Sequence, residues 1–158
     1  LDLLARQLIK ISADLRLLNS GPVGGIKEID LPATQAGSSI MPGKVNPVIP
    51  EYAMQLSMQT TGLHQASAAA LAHAELDLNV WESLITCNTL DMTGLLSTAL
   101  TSLAESAVAG LEVLPANIQN HLESPIARWT ELAKVRGYSK ATEQIQRALK
   151  QAGQEYQK

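Results

Sequence analysis

Between Ser83 and Ala104 the chain carries one charged residue, Asp91. The stretch has helical periodicity, because Met92, Leu96, Ala99 and Leu103 recur at intervals that place them on one face. The other positions hold Thr86, Thr89, Thr93, Ser97, Thr98 and Thr101, not lysine or glutamate. A helix without a charged face is buried on most of its sides. The pattern predicts a helix over about 80–110, roughly 45 Å long at 1.5 Å per residue. A chain of 158 residues does not wrap such a helix alone. Burial by other copies of the chain is the simpler solution, so an oligomeric helical bundle is expected. Asp91 and the hydroxyl content argue against a membrane span.

The flanking segments fit that architecture. Leu1, Leu4, Leu8, Ile11, Leu15 and Leu18 alternate spacings of three and four, the a/d seam of a packed helix. That pattern is already under way at Leu1, which suggests a helix entered from upstream and a chain that is part of something longer. Asn19-Ser20-Gly21-Pro22 supplies stop chemistry. From Gly21 to Gly43 there are five glycines and three prolines without strand alternation, which reads as a long ordered loop, usually a functional feature. A second helix is expected from near Pro47 to about Ala74, with Asn46 as N-cap and proline at the first helical position. Its second half, Ala66 to Ala72, is rich in alanine and lets neighbours approach closely. After Leu111, Pro115 and Pro125 punctuate shorter helices over about 116–123, 125–135 and 139–153, and charge density rises. The expected fold is all-α: a long-helix bundle over 1–112 and a small helical C-terminal appendage over 113–158.

Charge and cysteine usage narrow the function classes. The formal charge is −3, with no basic stripe, so a nucleic-acid partner is not expected. The single Cys87 allows no internal disulfide and no cysteine-based zinc site. It is expected to be a small core residue in a reducing compartment. No signal peptide is visible, and a cytoplasmic location is expected. Trp81 and Trp129 are expected to pack, and His73 and His121 to be structural. No cofactor and no metal site is expected.

The run from Gly37 to Glu51 carries chemistry. Gly37 and Gly43 bracket Ser38 and Ser39, Lys44 follows, and Asn46-Pro47 opens a helix. Free N–H groups and the positive end of a helix dipole favour an anion there. Lys44 adds a full positive charge, the serines add hydroxyls, and Asn46 adds an amide. The glycine spacing is not that of a nucleotide-binding P-loop. No Gly-x-Ser-x-Gly elbow is present. On the residues alone, the run is either an ordinary capped loop or a carboxylate or phosphate site with an activated serine.

The eleven positions Gly37-Ser38-Ser39-Ile40-Met41-Pro42-Gly43-Lys44-Val45-Asn46-Pro47 resemble the signature loop of the fumarase/aspartase superfamily. Leu17-Leu18-Asn19-Ser20-Gly21-Pro22, Leu76-Asp77-Leu78-Asn79-Val80 and Arg136-Gly137-Tyr138-Ser139-Lys140-Ala141 extend the resemblance over essentially the whole chain. Gly62-Leu63-His64-Gln65 departs from the usual Gly-Asn-Asp run, and Ser83 stands where proline is common. Val48-Ile49-Pro50-Glu51 leans toward the aspartate ammonia-lyase branch.

The resemblance implies a homotetramer with a central helical bundle and a lyase acting on a small dicarboxylate. The reaction would be anti-elimination of ammonia from L-aspartate to give fumarate, with class II fumarate hydratase as the alternative. Ser38 would be the base and Glu51 a catalytic acid pairing with a histidine from another segment. Ser39, Lys44 and Asn46 would bind substrate. Because family active sites combine several chains, a third reading is that this stretch alone is a non-catalytic oligomerisation module. On that reading it is inactive by itself and still associates.

Overall fold

The computed structural model describes residues 1–35, 37, 39–41, 44–123 and 125–155, with side chains at 125–128 and 149–155 excepted. Contacts divide the chain into two compact units, Leu1–Leu114 and Pro115–Lys158.

The first unit is built on three helices: α1 (Asp2–Leu18), α2 (Val48–Ala72) and α3 (Glu82–Leu103). α2 lies between the other two, packing on α1 along one side and on α3 along the other. α1 and α2 run antiparallel. Arg16 near the end of α1 reaches Glu51 at the start of α2, whereas Asp2 lies beside Thr61 and His64. α2 and α3 are also antiparallel, joined through a turn in which Glu75 and Leu78 exchange main-chain hydrogen bonds of 2.9 Å.

Small side chains set the spacing of these helices. Ala5, Ser12, Ala53, Ser57, Thr60 and Ala99 are fully buried. Leu8, Leu96, Leu103, Ile29 and Leu31 complete the core. Among α1's seam residues, Leu8 is buried and Leu15 and Leu18 partly so. Leu1, Leu4 and Ile11 are exposed in this chain. The expected a/d seam is therefore split. α2 offers small residues, and α1 buries Ala5, Leu8 and Ser12 while leaving Leu4 and Ile11 outward. Cys87, expected in the core, is exposed, because it lies off the face of α3 that meets α2.

α3 does not continue as one regular helix to 110. Ala104–Val108 forms a π turn, marked by the Ala109 N–H donating to the Ala104 carbonyl at 2.9 Å. The chain then forms β2 (Glu112–Val113), which pairs antiparallel with β1 (Ile29–Asp30). The sequence of residues 21–43 predicts no strand, yet β1 lies there. A two-residue strand is too short to show a period of two, and its partner lies over eighty residues away. The ladder nonetheless fixes the route of the loop. The Glu28 N–H donates to the Leu18 carbonyl at 3.0 Å, the Leu114 N–H donates to the Glu28 carbonyl at 2.9 Å, and the Leu31 N–H donates to Asn19 Oδ1 at 3.1 Å.

The second unit comprises α4 (Pro115–Leu122), α5 (Pro125–Arg136) and α6 (Tyr138–Glu155). α5 and α6 pack together across a turn at Gly137, whose φ of 83° suits glycine. The Gly137 N–H donates to the Ala133 carbonyl at 3.0 Å. Ala141 is buried beside Trp129 and Ile145. Among the described residues, no helix is long and apolar enough to cross a membrane.

Candidate active-site loop

The loop enters α2 through a closed stem. The Gly37 N–H donates to the Lys44 carbonyl at 2.7 Å, and the Gly37 carbonyl accepts from Asn46 Nδ2 at 3.3 Å. The Lys44 N–H donates to the Met41 carbonyl at 3.2 Å, which turns the chain back toward the stem. Gly37 is required by this closeness. A Cβ there would lie 2.7 Å from the Lys44 oxygen and 3.0 Å from the Asn46 nitrogen.

Asn46 is not the N-cap of α2. Pro47 occupies that position, with φ −77° and ψ 62°, and no side chain bonds the first turn. The expectation failed because the amide of Asn46 is drawn to the opposite stem, while its carbonyl accepts the Val48 N–H at 2.8 Å. The helix start is therefore open in its first turn, with Glu51 as the acidic residue there.

The five expected site residues fall in three settings. Ser38 lies outside the described residues. Ser39 and Lys44 are exposed, and Asn46 is half-buried in the stem. Among the described residues no carboxylate pairs with the Lys44 ammonium. Glu51 is half-buried, and its Oε1 lies 3.2 Å from Arg16 Nη2. The structure thus brings Gly37, Lys44 and Asn46 together by direct contact. Glu51 sits one turn into α2 against α1.

Arg16 was not singled out by sequence reasoning. Its partner is 35 residues away, beyond any local pattern. Its guanidinium pairs with the acid in the first turn of α2.

A cavity of about 470 Å³ lies beside the stem, lined in part by Asn19, Lys27, Asp30, Val45 and Glu112. Asp30 and Glu112 face each other across the ladder, and Lys27 Nζ donates to Asp30 Oδ1 at 2.6 Å. Two carboxylates against one ammonium make this cavity a poor host for a dianion. The cationic ground is on the loop. Among the described residues no group of three or more His, Cys, Asp or Glu side chains is placed to hold a metal ion.

The long antiparallel helices and the glycine-bracketed loop feeding α2 define a helical-bundle scaffold of the fumarase type. A Schistosoma mansoni class II fumarase structure superposes with a TM-score of 0.87 at 36% identity, over 92% of this chain and 30% of that one. A Brucella melitensis structure described as fumarate lyase:delta crystallin gives 0.84 at 44% identity, over 96% of this chain and 33% of that one.

The chain belongs to the fumarase/aspartase superfamily. A lyase family model matches residues 1–62. A class II fumarate hydratase of Xylella fastidiosa is 43% identical over 148 residues, covering 94% of this chain and 31% of the relative. An aspartate ammonia-lyase of Pseudomonas fluorescens is 46% identical over 138 residues, covering 87% and 29%. The chain spans about a third of the length of these relatives.

Proposed function

We propose that this chain supplies one wall of a lyase active site that forms fumarate by anti-elimination from a four-carbon dicarboxylate. The observation that carries the reading is the loop of residues 37–47. Its stem is closed at Gly37, and its Lys44 ammonium is exposed without a carboxylate partner among the described residues.

In this mechanism Ser38 removes the Cβ proton of the substrate. The electron pair left on Cβ delocalises into the adjacent carboxylate, which gains negative charge. Lys44 offsets that charge where it develops, and stabilisation of this kind is usually the largest single contribution to such a step. Ser39 and Asn46 help hold the substrate. Collapse of the carbanion expels the group on Cα and leaves the trans double bond of fumarate. Glu51, one turn into α2, acts on a base supplied by another segment.

Aspartate is the proposed substrate, with ammonia the leaving group, on the strength of Val48-Ile49-Pro50-Glu51. Malate, with water as leaving group, is the second reading, favoured by the similarity to the Xylella fastidiosa fumarate hydratase. Self-association into a homotetramer accompanies either. The apolar side chains left outward on α1 (Leu3, Leu4, Ile11) and α3 (Leu84, Leu90, Leu100) support it. The test is the ultraviolet absorbance of fumarate, followed with aspartate and then with malate given to the complete protein. Signal with aspartate alone is expected. Signal with malate alone selects the second reading, and silence with both refutes the mechanism.

A further inference from the structure

Among the described residues, Arg16 and Glu51 make the one ion pair that joins two helices. The other pairs, Arg6 with Asp2, Lys10 with Asp14 and Lys27 with Asp30, link residues three or four apart. We propose that Arg16 is a positioning residue, which anchors one oxygen of the Glu51 carboxylate and leaves the other open to the base that a further segment supplies. The proposal deepens the lyase reading and rests on it for its kinetic consequence.

Three features carry it. The first is place. Arg16 lies in the last turn of α1 and Glu51 in the first turn of α2, the two helix ends from which residues 19–47 spring. Each charge also suits its own helix end. The second is the form of the contact. Arg16 Nη2 donates to Glu51 Oε1 at 3.2 Å, a single bond and not the fork that arginine can make with a carboxylate. Glu51 Oε2 therefore has no partner among the described residues. The third is that nothing else orients the acid. No side chain bonds the first turn of α2, and the Glu51 side chain is partly exposed, so without Arg16 its rotamers are free.

The chemical consequence follows from what such an acid must do. A carboxylate that serves a base accepts the base's N–H in a fixed direction, as it does for an imidazole. One oxygen must be free to accept and the other anchored. A fork from Arg16 would engage both oxygens. With no anchor, the acid could swing back to the N–H groups at the start of α2, which attract carboxylates. The single bond from Arg16 meets both demands. Arg16 acts on the reaction through Glu51 and not by touching substrate.

A double-mutant cycle in the complete protein tests this. Arg16→Met is expected to lower kcat about tenfold with KM held within about twofold, because Lys44 and Asn46 are untouched. In the Glu51→Gln background the same substitution should change kcat by less than about twofold. Equal losses from Arg16→Met in the two backgrounds overturn the proposal. So does a rise in KM alone, and so does a Glu51→Gln variant that turns over at the parent's rate. A second measurement needs no activity: labelling of carboxylates by a carbodiimide and an amine, read by mass spectrometry. Arg16→Met should raise labelling at Glu51 about threefold, the size of a partly exposed ion pair. The exposed Glu75 and Glu82 should label as before. Unchanged labelling at Glu51 overturns the anchor. If the parent protein shows no turnover, the lyase reading falls and the labelling decides the anchor by itself.

Discussion

Asn88 offers the sharpest test of how α2 is held. It is buried on α3 at 6% exposure. Its Nδ2 donates to Ser67 Oγ at 3.2 Å and to the Leu63 carbonyl at 3.3 Å, both on α2. Asn88→Ala removes both bonds. Each contributes about 1 kcal/mol net, so the loss is about 2 kcal/mol. It grows no larger because Ser67 Oγ already donates to Leu63 at 3.1 Å and is not left unpaired. Asn88→Asp differs in kind. It places an acceptor against the Leu63 carbonyl and a charge in a site with no cation among the groups it touches, at a cost above about 3 kcal/mol. Thermal unfolding followed by circular dichroism reads both. For a chain of this size 1 kcal/mol moves Tm by about 2–4 °C. The alanine variant should melt about 4–8 °C lower and the aspartate variant lower still. Equal melting of the two variants, or an unchanged alanine variant, would refute the claim that this amide registers α3 on α2.

Leu96 is 2% exposed in the core, and Leu96→Ala should cost about 2–5 kcal/mol in urea unfolding. Arg16 and Glu51 are each partly exposed, so Arg16→Met should change stability by less than about 1 kcal/mol. A Tm drop beyond about 4 °C would show that the pair is more than a surface contact. Lys44 is exposed, so Lys44→Met should leave Tm unchanged while lowering fumarate formation at least about a hundredfold, read by initial rates at saturating substrate. The Asp2 carboxyl is held below its usual range, first by its hydrogen bond from Arg6 and also by Thr61 and His64. A depressed folded-state pKa stabilises above the unfolded value and is lost as pH falls through the folded one. Asp2→Asn should therefore lower Tm at neutral pH and make no difference well below about pH 4. An equal Tm drop at both pH values would refute this linkage.

The helices were legible because each repeats a simple rule many times. Seam spacing and the missing charges of the third helix predict its span to within a few residues, apart from the π turn at Ala104–Val108. The loop stands out in the sequence for a different reason. Its glycines, hydroxyls and lysine are contiguous in the chain, so composition and order carry the meaning together.

What the sequence alone determined is the all-α class, the helical spans and the eleven-residue run that places the chain in its superfamily. These depend on neighbours along the chain, where periodicity and propensity act. Tertiary structure decided the rest. It turned α1 so that Ala5 and Ser12, not Leu4 and Ile11, meet α2, because close approach favours small side chains. It paired Ile29 with Val113 and Arg16 with Glu51, contacts whose chain separation erases any local signal. It also took Asn46 from its expected cap and set it against Gly37. A cap would use its Oδ1 as acceptor, whereas the observed bond uses its Nδ2 as donor, and the approach of the two stems in space supplies that partner.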